Sequence, residues 1–556
     1  MAKEKCCPDG TFIDYAATNY FSKIVLDYIR GADALRPFYA HRPDMAGIEA
    51  AITAKKGFST AIRKVLVDNM RSHYEKSGQL AAYKKVEANI EALGSSNTFT
   101  VTTAHQPNIF GGPLYLVYKI LHVIQLAEML NATYKEQQKY FVPFYYMGSE
   151  DADLDEIGQM QVDGKKYVWQ TDQTGPVGRM KIDKKLLALI DELEGQVGVG
   201  AYGPEFIRIL RDCYREGRLI QEATFAFIHQ LFGRYGLLIL MPDDRQLKEV
   251  FEPVVLKELE EGFSHKALER TTANIEKAGY KVQTHGRPIN LFYQEGHHRE
   301  RIIKDGDVYR IDGRDATRSR AEIEKEVKDR AELFSGNVVL RGPFQETILP
   351  DIAFVGGGGE LAYWLEMKGV YEAAGIPYPV LLLRNSFMLL TPKETVLMHK
   401  LALQPADLFL PLHQIQDLLL KKKGVEIDLS GELEQLSQLY AKIGLKAAAV
   451  DSTLAGHTEA IATAAKNKAH RLVTKMKTAQ RKRLETETGQ LRKLKERLFP
   501  AGSLQERTEN IAGFYAQYGK DIFDLIKARS LTLEQQFGVI HLPEPVQPDP
   551  VVYSEV

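Results

Sequence analysis

Short apolar segments alternate with helical patterns through the middle of the chain, and this alternation restricts the fold more than any other feature. A β-branched run at 98–104 precedes a helix-like stretch over about 113–130. Further strands are predicted at 140–146, 237–240, 337–340 and 379–383, and further helices through Lys257 and over 360–374. Strands that are apolar on both faces and alternate with helices are typical of a parallel sheet covered on both sides. We therefore predict an α/β fold with a parallel-sheet core.

The remaining segments complete the predicted domain organisation. Two stretches inside the core do not fit the alternation and are interpreted as insertions, the second as hairpins plus a helix. After about Thr391 the strand signal disappears and long helical patterns take over. The predicted order is an N-terminal helical segment at 1–95, a sheet core at 96–390 with insertions near 158–230 and 263–335, a helical domain at 391–533, and an extended tail at 534–556.

The helical domain is predicted to contain an antiparallel coiled-coil hairpin. Its two apolar seams step by three and four residues: Leu433, Leu436, Tyr440 and Ile443 on one helix, and Leu484, Leu491, Leu494 and Leu498 on the other. Exposed apolar seams usually find partners, so we expect a homodimer through this arm. Residues 461–500 carry twelve Lys or Arg and three Glu. We interpret them as a solvated helix face rather than a nucleic-acid contact.

Composition limits the partners. The chain has 556 residues, too many for a single small module, with 72 basic and 73 acidic side chains and a formal charge of −1. No net field therefore draws the molecule to nucleic acid or acidic lipid. Three cysteines give no paired framework, and neither a signal-peptide pattern nor a membrane-spanning apolar stretch occurs. We expect a cytoplasmic protein with no membrane partner and no nucleic-acid partner.

The first segment with candidate functional residues follows the strand at 98–104. His105, Gln106 and Asn108 supply polar side chains, and Gly111 and Gly112 let the backbone approach a ligand closely. Ligands of parallel α/β sheets bind outside the carboxyl ends of the strands, so these residues are candidates for catalysis and anion binding. The alternative is an ordinary turn with a hydrogen-bonded histidine.

The second segment is acidic and follows the strand at 140–146. Five carboxylates lie between Glu150 and Glu156, and they repel one another unless a cation sits among them. A magnesium ion or a substrate amine would fill that role. We favour Glu150, Asp151 and Asp153 because they lie nearest the strand end. Helix capping by one or two of the carboxylates is the alternative.

The third segment contains four consecutive glycines after an apolar strand and before a helix. Gly357, Gly358 and Gly359, with Glu360, form a predicted anion-binding turn at a positive helix end. Arg341 and Arg384 each follow a predicted strand and could hold carboxylate or phosphate bidentately. Pairing of an arginine with a core carboxylate such as Glu346 is the alternative. The full candidate substrate-binding set is Glu150, Asp151, Asp153, Arg299, Arg341, Gln345, Glu346, Tyr363, Trp364 and Arg384.

These three segments, together with 174–180, 289–293 and 498–507, closely resemble the bacillithiol-biosynthesis cysteine-adding enzymes, the BshC family. The likeness spans nearly the whole chain. It implies a Rossmann-like core with two connecting-peptide insertions, a coiled-coil homodimer, and addition of cysteine to glucosaminyl-malate. Three positions depart from the family pattern: Ala104 in the first loop, Ala152 where a histidine is usual, and Gly358 where a proline is usual. No catalytic base is assigned at Ala152.

Amide formation from the cysteine carboxyl requires that carboxyl to be activated, so ATP or a related nucleotide and Mg²⁺ are the candidate cofactors. His105, Gln106 and Asn108 would polarise phosphate or carboxyl oxygens, while Arg341 and Arg384 would hold the malyl carboxylates. Two alternative functions stay open. One is a nucleotidylyltransferase-like enzyme acting on another small molecule, and the other is a coiled-coil protein whose basic arm contacts RNA.

Overall fold

The computed structural model describes residues 10–315, 317–422, 429–483 and 485–545. The chain divides into two compact units, residues 1–391 with 503–556, and residues 392–502. Across the described ranges, no helix is long and apolar enough to cross a membrane.

A five-stranded parallel sheet forms the centre of the first unit. Its strands, in spatial order, are Val380–Leu383, Asp351–Gly356, Thr98–His105, Tyr140–Met147 and Leu238–Leu240. Each neighbouring pair is parallel. Every residue of the strand Asp351–Gly356 is buried, as expected for a sheet covered on both faces. The predicted α/β class and the strands predicted at 98–104, 140–146, 237–240 and 379–383 are confirmed.

Helices cover the sheet. The helix Leu114–Thr133 connects the strands Thr98–His105 and Tyr140–Met147 and is buried along most of its length. The helices that precede the sheet are Tyr15–Thr18, Lys23–Ile29, Met45–Lys55, Thr60–Lys76 and Lys84–Ala92. Those inside the core are Leu154–Ile157, Arg245–Glu261, Phe263–Lys277, Val338–Ile348 and Gly358–Ala374.

The strand predicted at 337–340 is wrong, because these residues begin a helix. The side chain of Asn337 accepts a hydrogen bond from the Val339 backbone N–H at 2.9 Å and caps the helix Val338–Ile348. A short apolar run cannot by itself distinguish a buried strand from a buried helix. The strand lies further on, at Asp351–Gly356, and Arg341 is therefore a helical residue rather than a strand-end residue.

Two groups of elements interrupt the core where insertions are predicted. The first consists of the hairpin Gln159–Val162 and Lys165–Val168 with the helices Lys184–Val197, Gly203–Cys213 and Ile220–Phe232. The second is an antiparallel sheet in the order Thr317–Ser319, Val308–Ile311, His298–Asp305, Leu291–Glu295 and Phe334–Gly336, with the helix Arg320–Asp329.

The end of the chain returns to the first unit. The strand Phe537–His541 pairs with Gly10–Ile13 on one side and Ser386–Leu390 on the other. The helices Ala512–Tyr518 and Asp521–Lys527 belong to the same unit. Residues 503–533 therefore group with the sheet, whereas the sequence assigns them to the helical domain. These residues are helical, and their contacts with distant helices of the first unit, which assign them to it, leave no periodic signal in the sequence.

The second unit is helical. Its helices are Pro392–Lys400, Leu412–Lys422, Ser430–Val450, Leu454–Arg483 and Glu485–Leu498. Ser430–Val450 and Leu454–Arg483 pack against each other as a hairpin, and their apolar side chains Leu439, Ile443, Leu472 and Met476 are exposed. Leu491, Leu494 and Leu498 of the predicted seam are buried on the last helix, and Leu484 lies outside the described residues.

Candidate active site

A cleft of about 720 Å³ opens at the carboxyl ends of the parallel strands. Four strands of the parallel sheet each contribute a lining residue at their end or directly after it: His105, Gly148, Gly357 and Arg384. This is the edge at which parallel α/β sheets bind ligands. The candidate site thus lies where the sequence places it.

Twelve of the nineteen predicted site residues line this cleft. They are His105, Gln106, Glu150, Asp151, Arg299, Arg341, Gly357, Gly358, Gly359, Glu360, Tyr363 and Arg384. The other seven are not among the lining residues: Asn108, Gly111, Gly112, Asp153, Gln345, Glu346 and Trp364. Most of these residues follow a strand of the parallel sheet, whereas Arg341 and Tyr363 come from helices and Arg299 from the antiparallel sheet of the second insertion.

Gln345 and Glu346 lie behind the cleft rather than in it. Both are buried, and Glu346 forms a buried ion pair with Lys55 at 3.0 Å. The Gln345 amide donates to Glu346 Oε1 at 3.1 Å, while its Oε1 lies 3.4 Å from Arg341 Nη1. Gln345 supports Arg341 from the core side, because residues four positions apart share one face of a helix, and Glu346 holds the Gln345 amide in turn.

Trp364 and Asp153 also serve the fold and do not line the cleft. Trp364 is buried and stacks on Phe354, with ring centroids 4.2 Å apart. The carboxylate of Asp153 accepts from the Glu156 backbone N–H at 3.1 Å and caps the short helix Leu154–Ile157. Capping is the alternative that the sequence left open for the acidic segment.

Gly111 and Gly112 shape the first loop instead of lining the cleft. Both have positive φ, +85° and +59°. A Cβ on Gly112 would lie 2.7 Å from the Asn108 Cβ, and one on Gly111 would lie 3.1 Å from the Phe227 ring. Glycine is required here for the turn and the close approach of the protein's own chain. Asn108 is buried in the same loop and donates to the Glu156 carbonyl oxygen at 3.3 Å.

His105 presents a neutral imidazole near the cleft. Burial, together with the positive charges of Lys119 and Arg384, lowers the pKa of His105 well below its usual value. Its ring packs edge-on against Tyr115 at 5.1 Å. In the described part of the chain, the Nε2 atom is buried and has no hydrogen-bond partner. The Asn108 side chain lies beside the ring and partly opposes the lowering of its pKa. A buried ring nitrogen without a close partner marks His105 as a candidate contact for a ligand.

Lys119 is a site residue that the sequence prediction missed. It is 2% exposed, donates to the Ala104 carbonyl oxygen at 2.8 Å and forms an ion pair with Glu360. Burial, opposed by Glu360, lowers the pKa of Lys119. Glu360 also accepts from the Gly357 backbone N–H at 2.8 Å. The available signal is that Lys119 is the one Lys, Arg, Asp or Glu between 113 and 127.

The acidic segment is held by protein groups. Glu150 Oε1 lies 2.6 Å from Lys248 Nζ, and Lys248 also contacts Asp243 at 3.1 Å. Asp151 accepts from the Gln106 amide at 3.1 Å. No cluster of three or more His, Cys, Asp or Glu side chains suited to a metal ion is present among the described residues. The residues here do not fit a protein-bound Mg²⁺ site.

The basic side chains differ in how they are paired. Arg384 is buried and paired with Glu506 at 2.7 Å. Arg341 donates to the Tyr363 hydroxyl at 3.2 Å, and Arg299 donates to the Gly336 carbonyl at 3.1 Å and stacks over Phe292. Within the described ranges, neither Arg341 nor Arg299 has a carboxylate at ion-pair distance.

The cleft therefore has a local basic excess. Its basic side chains are Lys119, Arg287, Arg299, Arg341, Arg384 and Arg507, and its acidic ones are Glu150, Asp151, Glu156 and Glu360. With two guanidinium groups lacking a protein carboxylate, the arrangement is suited to an anion with more than one negative oxygen group.

A loop from the second insertion completes the wall. It carries Gln283, His285 and Arg287, none of which the sequence singles out. Both carboxylate oxygens of the buried Glu366 accept backbone N–H groups of this loop, from Gln283 and Thr284, each at 2.8 Å. This long-range anchor helps to hold the loop at the cleft, and no local pattern in the sequence marks it.

Comparisons with known proteins agree with the likeness seen in the motifs. The family model described as "Bacillithiol biosynthesis BshC, N-terminal Rossmann-like domain" matches residues 11–385, and the model of its "C-terminal coiled-coil domain" matches residues 387–542. A protein of Christiangramia forsetii named "Putative cysteine ligase BshC" is 36% identical over 95% of this chain and 98% of its own length. A protein of the same name from Flavobacterium johnsoniae is 34% identical over 95% and 99%.

Proposed function

Because the chain belongs to the bacillithiol biosynthesis BshC family, we propose that it is a cysteine ligase. In this proposal it joins the carboxyl group of L-cysteine to the amine of glucosaminyl-malate in the cytoplasm. An amide bond forms, and the activated cysteine carboxyl loses its leaving group.

The observation that carries this proposal is the pair of guanidinium groups without carboxylate partners. Arg341 and Arg299 line one cleft and have only neutral hydrogen-bond acceptors among the described residues. A malyl group carries two carboxylates, and planar guanidinium groups bind carboxylates bidentately. Both side chains are half-buried, and carboxylates of the cleft act on them only from beyond ion-pair distance. A bound dicarboxylate in direct contact would therefore be stabilised by both groups.

The carboxylates of the cleft suit the ammonium group of the cysteine substrate. Asp151 and Glu156 lie on either side of the Gln106 amide, at 3.1 and 3.5 Å. Burial and the neighbouring Asp153 and Asp151 raise the pKa of Glu156, as expected where negative charges are close together. An ammonium group of cysteine placed here would relieve that repulsion.

The remaining groups suit the chemistry of an activated acyl group. The helix Gly358–Ala374 points its N-terminus at the cleft, and a Cβ on Gly359 would meet no atom within 4 Å, so there is room for a phosphate. ATP would supply the activation of the carboxyl group, and Lys119, Arg384 and this helix end would hold its phosphates. His105 Nε2 would form a hydrogen bond to the reacting carboxyl group.

The test is a reconstitution with purified protein, L-cysteine, glucosaminyl-malate, ATP and Mg²⁺. Ligated thiol detected by mass spectrometry, together with nucleotide cleavage, is expected. Neither product appearing would reject ATP-dependent ligation by this protein. Deletion of the gene in the source organism should make glucosaminyl-malate accumulate and bacillithiol disappear, and an unchanged thiol pool would reject the substrate assignment.

We also propose that the helical unit forms a homodimer. Leu439, Ile443, Leu445, Leu472 and Met476 are each more than a third exposed on its hairpin. Exposed apolar side chains in such number favour association with a second copy. Sedimentation equilibrium should give twice the 62.7 kDa chain mass. Leu439→Glu with Leu472→Glu should give the monomer, whereas a wild-type monomer would contradict the proposal.

A further inference from the structure

Residues 505–510, which follow the helical unit and are called here the clasp segment, bond to separate parts of the first unit. Gln505 bonds the strand Ser386–Leu390, accepting from Leu389 N at 2.9 Å and donating to Leu389 O at 3.2 Å. Glu506 accepts from Arg384 and from Phe387 N. The first half of the segment thus fixes the strand Ser386–Leu390 and the nearby Arg384.

The second half reaches the first insertion and the first loop. Glu509 accepts from Gln161 Nε2 at 2.9 Å and from Asp163 N at 2.8 Å. Its carbonyl oxygen accepts from Leu114 N at 2.7 Å, at the start of the helix after the loop.

The side chain of Asn510 bonds both to that loop and to the start of the helix that follows Asn510. It is 1% exposed, and its amide donates to the carbonyl oxygens of Phe110 at 3.1 Å and Gly112 at 2.5 Å. Its Oδ1 accepts from Ala512 N at 2.8 Å. The three bonds define the orientation of the amide group.

The loop needs such external support. Phe110, Gly111 and Gly112 have φ of +50°, +85° and +59°, and a non-glycine residue in this region is strained. The Tyr214 hydroxyl accepts from Phe110 N at 3.1 Å. A strained loop persists only where its surroundings hold it, and this loop begins at His105 and Gln106, which line the cleft.

We propose that Asn510 is a positioning residue that holds the loop 105–112 in the conformation that directs His105 and Gln106 to the cleft. The part of this inference that concerns catalysis rests on the proposed ligase function. The structural part does not, since it concerns the loop itself.

The test compares Asn510→Asp with Gln505→Ala. Asn510→Asp keeps the shape and the Oδ1 acceptor but replaces the donor with an oxygen that faces two carbonyl groups. Gln505→Ala removes two side-chain bonds from the same segment without touching the loop. We expect amide hydrogen exchange over residues 106–113 to accelerate about tenfold or more in Asn510→Asp only. We also expect kcat to fall about tenfold to a hundredfold at a temperature where the variant is folded, with a smaller change in KM.

Equal loop exchange in Asn510→Asp and wild type would overturn the proposal. The proposal would also be overturned if Gln505→Ala accelerated loop exchange as much as Asn510→Asp does. Asn510 would then contribute to the stability of the whole segment and not to the loop in particular. If wild-type protein lacks ligase activity, the proposed function fails while the exchange comparison still decides the role of Asn510. Should Asn510→Asp not fold, Asn510→Ser retains one donor, and its exchange over residues 106–113 should be faster than in wild type and in Gln505→Ala.

Discussion

Arg384 Nη2 lies 2.7 Å from Glu506 Oε1, and both side chains are buried although 122 residues separate them. The sequence left open that an arginine at this edge pairs with a core carboxylate instead of a ligand. Arg384 does so, but its partner is Glu506 and not Glu346. Glu346 is paired with Lys55 instead. Arg384 therefore joins the end of a core strand to the clasp segment while also lining the cleft.

Glu506→Ala should lower the free energy of unfolding by about 3–5 kcal/mol, because it leaves a buried guanidinium without a counter-ion. Urea denaturation would measure the change. Arg320→Ala is the control: Arg320 is half exposed in a surface pair, and its loss should cost about 1 kcal/mol or less. A loss below about 1 kcal/mol for Glu506→Ala would contradict the importance of the buried pair.

Arg341→Ala should weaken binding of the dicarboxylate substrate more than it weakens the fold. Loss of a charge-assisted hydrogen bond of about 1.5–3 kcal/mol corresponds to about a tenfold to hundredfold rise in KM or Kd. Titration calorimetry with glucosaminyl-malate and a thermal melt would measure the two effects. Arg341→Lys keeps the charge and loses the planar fork, so it should recover only part of the affinity. Unchanged affinity in Arg341→Ala would argue against this substrate position.

Stability should fall as the pH drops from about 6.5 to about 4, in part through His122. Its Nδ1 accepts from Asn385 N and its Nε2 bonds the Thr532 carbonyl oxygen, so the folded protein holds it neutral. Burial, opposed by Glu534 and assisted by Arg384, lowers the pKa of His122 to about 4. The unfolded chain takes up this proton first, so the contribution is complete above the unfolded pKa of about 6.5 and lost as the pH falls toward 4.

Between pH 6.5 and 4 the titration of His122 should lower the free energy of unfolding by about 3 kcal/mol. Denaturation of wild type and His122→Gln at a series of pH values would isolate it, because glutamine retains a donor and an acceptor but does not titrate. The difference in unfolding free energy between the two proteins should change between pH 6.5 and 4. A constant difference would show that His122 does not titrate in this way. His229, whose pKa burial also lowers to about 4, contributes equally to both proteins.

Gly112→Ala should destabilise the protein by about 1–3 kcal/mol, because φ of +59° with ψ of −150° is a conformation that only glycine adopts readily. A Cβ there would also collide with Asn108. Gly359→Ala is the matched control, since its Cβ would meet open space at a helix start, and it should leave stability unchanged or raise it by up to about 1 kcal/mol. Thermal melts of both variants test this. Equal melting temperatures would contradict the constraint at Gly112.

Local patterns sufficed for four of the five strands of the parallel sheet, for helices that cover it, and for the strand-end position of the loop at His105. They failed at 337–340, where an asparagine cap turned a β-branched run into a helix. They also gave no account of Lys119, of the loop at Arg287, or of the clasp segment. Each of these depends on a partner distant in the chain: Glu360 for Lys119, Glu366 for the loop, and Leu389 and Arg384 for the clasp.

The sequence by itself determined that the chain is an α/β protein with a helical arm, because hydrophobic periodicity acts over neighbouring residues and is written in the chain. It also determined which loops stand at the carboxyl edge, because parallel strands share one direction. Only the tertiary structure decided which charges are paired with protein groups and which face the cleft unpaired. That choice is set by distances between residues hundreds of positions apart, and the free energy of a buried charge depends on those distances and not on the order of the residues.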